Sequence, residues 1–168
     1  MSRKIALIGF GEAGRTFADA GQWRETARIF DMKTDMGGET AAAMRAAYAA
    51  HGVTGCDKLA QALDGAEIIL SLVTADQTTP AAFAASGTFP KGALFCDMNS
   101  VSPGRKRANA DAIEAAGGRY VDVAVMAPVQ PAALTVPLLL AGPHADDAAV
   151  MLAEIGFAKI GSRYPNVG

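Results

Sequence analysis

Three glycines at the end of a strand-sized apolar run constrain this chain more than any other feature. Lys4 to Ile8 reads as a short, continuously hydrophobic strand, and Gly9-Phe10-Gly11-Glu12-Ala13-Gly14 follows it directly. The glycines end the strand, and a helix is predicted from Glu12 to Ala20. A second strand, Arg28 to Phe30, completes a strand–helix–strand unit. A strand covered on both faces reads as such an unbroken run, whereas a sheet with one wet face alternates.

The same alternation continues to the end of the chain. Glu39 to Ala50, dense in Ala, Met and Arg, is read as a helix stopped by His51-Gly52, and Val53-Thr54 as a brief strand. Asp57 to Leu63 is a short helix, Glu67 to Val73 a strand, Thr79 to Ala85 a helix, and Ala93 to Asp97 a buried strand. Ser102 caps a helix with Pro103 at its first position, and Gly117 closes it. Tyr120 to Met126 and Leu134 to Leu140 are further strands. Ala148, Met151, Leu152 and Ile155 form one stripe on a helix from Ala145. Ala158 to Gly161 is the last strand, and Tyr164 to Gly168 reads as a linker. Strands alternating with helices imply a Rossmann-type, doubly wound α/β domain with a mostly parallel sheet and helices on both faces. No interior boundary divides it, so residues 1–168 are read as one domain.

Composition removes several alternatives. The chain is 51% hydrophobic and 19% charged, enough to bury a core. A net charge of −2 gives no field directed at nucleic acid or anionic lipid. No run approaches the roughly 18 apolar residues of a membrane span. Cys56 and Cys96 belong to no CxxC or Cys/His cluster, so neither a metal site nor a disulfide scaffold is expected. Met1 to Lys4 leads straight into the first strand with no signal-peptide pattern, which points to the cytosol.

GxGxxG between a strand and a helix is the setting in which the pattern carries chemistry. Gly9 permits the tight turn, Gly11 lets a pyrophosphate approach the backbone, and Gly14 lets the helix pack against the strand. The helix amino terminus then faces the phosphates. Asp31 ends the second strand about 20 residues after the first glycine, where a carboxylate accepts from a ribose 2′-hydroxyl. That favours NAD; Lys33, two residues on, could pair with a 2′-phosphate and keeps NADP as the alternative.

With these residues in place, the chain resembles the NAD(P)-binding domain of the 6-phosphogluconate dehydrogenase and β-hydroxyacid dehydrogenase superfamily. Beyond the glycine loop, the resemblance rests on Leu70 to Thr74, on Asp97-Met98-Asn99-Ser100-Val101-Ser102-Pro103, and on Tyr120 to Val125. It implies that Gly9, Phe10, Gly11, Glu12, Ala13, Gly14, Asp31, Lys33, Val73, Thr74 and Ser100 contact the cofactor. Ser100, supported by Asn99, would also bind a small hydroxy acid or other carboxylate substrate. Two departures are visible. The family's Ser-Gly-Gly turn after the sixth strand is replaced by Met126-Ala127-Pro128-Val129. The family's catalytic lysine lies on a helix following this domain, and none of Lys4, Lys33, Lys58, Lys91, Lys106 or Lys159 fits it. The helical carboxy-terminal domain is therefore expected to lie outside this chain, leaving apolar surface for self-association. The implied activity is hydride transfer to or from a nicotinamide. The alternatives are a non-catalytic dinucleotide-binding module and the cofactor domain of an imine reductase.

The remaining polar residues carry structural expectations. His51 and His144 are read as surface residues, Asp146-Asp147 as charges suited to a helix amino terminus, and Cys96 as an inert core thiol. Arg105-Lys106-Arg107 is read as a solvated face, with Arg105 as a candidate attractor of an anionic substrate; Asp122 could pair with a neighbouring helix or turn and is given no chemistry.

Overall fold

The computed structural model describes residues 2–163, so the Tyr164 to Gly168 segment lies outside the described residues. The strands are β1 (Ile5–Ile8), β2 (Ala27–Phe30), β3 (Thr54–Gly55), β4 (Ile68–Ser71), β5 (Leu94–Asp97), β6 (Arg119–Val125), β7 (Leu138–Ala141) and β8 (Ile160–Arg163). The helices are α1 (Glu12–Gly21), α2 (Gly38–Ala50), α3 (Leu59–Leu63), α4 (Thr78–Ser86), α5 (Pro103–Ala115) and α6 (Ala145–Glu154). Among the described residues, these eight strands form one sheet in the order β3-β2-β1-β4-β5-β6-β7-β8. Every pair is parallel except β6 with β7.

Period-two alternation along unbroken apolar runs builds two cores at once. Ile5, Leu7, Ile68, Leu70, Leu94 and Cys96 face one side, against Phe17 of α1, Met44 and Tyr48 of α2, and Leu152 of α6. Ala6, Ile8, Ile69, Phe95 and Tyr120 face the other, against Leu63 of α3, Ala82 and Ala85 of α4, and Ile113 of α5. This is why the sequence runs Ile5-Ala6-Leu7-Ile8 with no polar break.

The antiparallel pair has a local cause. A parallel return needs a crossover, usually a helix. The connection between β6 and β7 carries Pro128, Pro131 and Pro137, which forbid a continuous helix. Only a 3₁₀ turn over Ala133–Thr135 forms there, so the strand expected from Leu134 begins at Leu138. Other boundaries move by one or two residues.

Candidate functional site

Strand order reverses between β1 and β4, and a crevice of about 760 Å³ opens there, at the carboxyl ends of the strands. Open α/β sheets bind ligands at such a switch point. Gly9, Gly11, Glu12, Ala13, Asp31, Lys33, Val73 and Thr74 all line it. Gly9 has φ +98°, and a Cβ there would lie 2.2 Å from the Leu72 carbonyl oxygen. Gly11 is different: an added Cβ meets nothing within 4 Å, so the backbone at this point is open. Gly11 also caps α1 in an extended conformation without a side-chain bond, leaving the helix amino terminus uncovered. The residues fit a dinucleotide: open backbone at the phosphates, and space beside it.

Asp31 is not a solvated loop acid. It is buried, its Oδ2 accepts from the Phe10 N–H at 2.8 Å, and its Oδ1 accepts from the Lys33 N–H at 2.9 Å. Its own N–H donates to the Tyr48 hydroxyl at 2.9 Å. Burial pushes the Tyr48 phenol up to about 12. One carboxylate therefore ties the glycine loop to the end of β2, and two of its roughly four acceptor sites are used. Around it, Lys33, Asp35 and Lys58 line the same end of the crevice, with Lys58 Nζ 3.1 Å from Asp35. Phe10 and Gly14 lie behind the loop. The Phe10 ring is buried 5.3 Å from Tyr48, and a Cβ on Gly14 would come within 2.9 Å of the Gly9 oxygen.

A second pocket, of about 560 Å³, lies over the carboxyl ends of β5 and β6, lined by Asn99, Ser100, Ser102, Lys106, Asp122 and Ala124 among others. Ser100 is exposed and Asn99 is buried. Asn99 Oδ1 accepts from the Val73 N–H at 2.8 Å, while Nδ2 donates to Ser71 Oγ at 3.1 Å and to Asp97 Oδ1 at 2.9 Å. One amide thus joins the second pocket to the wall of the first.

The structure corrects the reading of the cationic triplet. Lys106 is 4% exposed, and its Nζ lies 3.2 Å from Asp97 Oδ1 and 2.8 Å from Asp122 Oδ1. The start of α5 packs against the sheet, which turns Lys106, Asn109 and Ile113 inward together. Only Arg105 and Arg107 remain exposed, with Arg105 donating to the Ala75 carbonyl at 3.2 Å. Asp97 is fully buried and also accepts from Asn109 Nδ2 and, at 2.6 Å, from the Tyr120 hydroxyl. Burial beside this carboxylate raises the Tyr120 phenol well above its ordinary range. In the sequence, Asn109 is given no role, Lys106 is placed on a solvated face, and Ser71 and Tyr120 enter only as parts of the segments that carry the resemblance. The available signal was the spacing 106, 109, 113, one helical stripe in which two polar residues share a face with Ile113.

The other expectations sort simply. His51 and His144 are partly exposed and pair with Asp19 and Glu114. Cys96 is buried, and its thiol is pushed up to about 12 by burial. Met126, at the replaced turn, is 60% exposed.

The sequence profile of the NAD binding domain of 6-phosphogluconate dehydrogenase matches residues 4–168. The chain belongs to this family. Its fold is that of a conserved hypothetical protein from Sinorhizobium meliloti 1021, at 34% identity and TM-score 0.91, over 100% of this chain and 56% of that one. It is also similar to 3-hydroxyisobutyrate dehydrogenase from Mycobacterium tuberculosis, solved with L-serine: 20% identity, TM-score 0.81, 99% and 56% covered. An imine reductase from Bacillus cereus matches at 16% identity and TM-score 0.72, over 97% and 55%. No curated protein matches the chain. This NAD(P)-binding domain thus spans little more than half the length of the solved proteins it resembles. Among the described residues, no helix is long and apolar enough to cross a membrane.

Proposed function

We propose that this domain serves a dehydrogenase that moves hydride between a nicotinamide and a small hydroxy acid. The supporting observation is the Asn99–Val73 hydrogen bond of 2.8 Å, which places the Ser100 pocket beside the crevice of the glycine loop. Gly9, Gly11, Glu12, Ala13 and the open end of α1 would hold the diphosphate, with Phe10 and Gly14 shaping the loop from behind. Asp31 would accept from the adenosine ribose, which favours NAD. Lys33 and Lys58 line the same end of the crevice and would neutralise a 2′-phosphate of NADP. Val73 and Thr74 would border the nicotinamide ribose, and the nicotinamide supplies or takes the hydride.

Ser100 would donate to an oxygen of the substrate, and Asn99 would hold Ser100 in place. Proton removal falls to a lysine outside these residues, on a helical domain that covers the cleft. Both cysteines are free and buried, which suits the cytosol. A second reading is imine reduction. It is favoured by the Met126-Ala127-Pro128-Val129 turn, where an exposed methionine and a proline without N–H suit an apolar substrate better than a carboxylate.

Fluorescence titration of the purified chain with NADH and NADPH tests the reading. It expects saturable binding of at least one nucleotide with negligible turnover of any hydroxy acid. Turnover by residues 1–168 alone would overturn the assignment of the base, and absence of nucleotide binding would overturn the whole reading.

A further inference from the structure

The row of residues at the carboxyl ends of β4, β5 and β6 is polar where the rows beneath it are apolar. Register places Ser71 opposite Asp97 and Asp97 opposite Asp122. All three continue the face that carries Ile69, Phe95 and Tyr120, because each lies two residues beyond one of them. Two carboxylates directly opposite on one face repel each other. Lys106 reaches between them from α5.

Lys106 donates one hydrogen bond and makes two ion pairs. An ammonium has three N–H groups, and three acceptors surround this one: the Asp97 carbonyl at 2.8 Å, Asp97 Oδ1 at 3.2 Å and Asp122 Oδ1 at 2.8 Å. Lys106 borders the pocket, but its ammonium is held among these three acceptors. Asp97 Oδ1 in turn receives the Asn99 N–H and Asn99 Nδ2. That fixes the Asn99 amide so that only its Oδ1 faces the Val73 N–H.

We infer that Lys106 is a positioning residue: by bridging Asp97 and Asp122 it sets Asn99, and through it Val73 in the crevice and Ser100 in the adjoining pocket. The relay goes beyond the assignment of cofactor and substrate and rests on it only for what fills the two spaces. Replacing Lys106 by a neutral chain leaves two facing carboxylates, one fully buried, without their shared cation. Asp97 then turns from Asn99, and the segment carrying Ser100 loses its anchor.

Nuclear magnetic resonance on the ¹⁵N-labelled chain tests this without a substrate. In the wild type, the Lys106 ammonium is expected as a slowly exchanging signal coupled to both carboxylates; its absence overturns the inference. In Lys106→Met, the Val73 amide is expected to exchange about tenfold faster while Leu70 barely changes. NADH still shifts Gly11 and Ala13 in this variant, but the response of Ser100 is lost. Uniformly faster exchange, with Ser100 still responding, would reduce Lys106 to a structural residue and refute the relay. So would an unchanged Val73. Should Lys106→Met fail to fold, the wild-type ammonium signal decides. A wild type that responds to neither NADH nor NADPH refutes the cofactor reading, and the Val73 comparison still judges Lys106.

Discussion

Alanine in place of each glycine of the loop separates folding from binding. At Gly9 the new methyl carbon stands 2.2 Å from the Leu72 oxygen, on a backbone with φ +98°. Strain of this kind costs about 1–3 kcal/mol and the backbone clash adds to it, so Gly9→Ala should lose about 3 kcal/mol or more. At Gly11 nothing lies within 4 Å of the added carbon, and φ is −83°. The fold then loses only the difference between Gly and Ala as a helix cap, about 1 kcal/mol at most. On the proposed binding mode, the same methyl group would occupy the space through which a phosphate approaches the amino terminus of α1. NADH affinity should therefore fall at least about tenfold, or about 1.4 kcal/mol. Urea unfolding gives the first quantity and fluorescence titration the second. A Gly11→Ala chain that folds and binds like the wild type would refute the reasoning.

Three further outcomes follow from the same geometry. In Asp31→Asn the amide offers one acceptor where Phe10 and Lys33 present two N–H donors, so one buried bond is lost. Stability should drop by about 1–3 kcal/mol in urea unfolding, with the NADH-to-NADPH affinity ratio moving towards NADPH; an unchanged ratio removes Asp31 from cofactor choice. Tyr48 ionises near 12 in the folded chain against 10.0 in the ordinary case, so the folded state holds its proton more tightly. Its contribution is whole below pH 10 and is lost as pH rises towards 12, and absorbance at 295 nm should show Tyr48 and Tyr120 ionising together with unfolding. Cys96, pushed up to about 12 by burial, should resist a thiol reagent at pH 8 until denaturant is added; rapid labelling of the native chain would show that the sheet opens there.

Much of this architecture is legible because its strands are continuous apolar runs and its first turn is built from glycine. Those are local signals, set by burial on two faces and by backbone freedom; Gly9, Gly11 and Asp31 line the crevice, and Ser100 lines the adjoining pocket rather than the crevice itself. What local reading missed depends on registry between distant strands. Asp122 reads as able to pair with a neighbouring helix or turn, but that the partner is Lys106 of α5, shared with Asp97, follows from β6 lying beside β5. Lys106 looks solvated between Arg105 and Arg107 because three consecutive positions on a helix point in three directions, and only packing tells which one turns inward. The role of Asp31 in tying down the Phe10 N–H is likewise a contact across the sheet. The antiparallel turn into β7 was hidden for another reason: prolines mark the break without saying which way the chain returns.

The central claim is that the crevice between β1 and β4 holds a nicotinamide dinucleotide by its diphosphate. Isothermal titration of the purified chain with NADH, and separately with NADPH, measures this most directly. One nucleotide bound per chain, with the heat abolished by Gly11→Ala in a folded protein, is the outcome expected. No heat with either nucleotide, from a chain shown to be folded, would contradict the account.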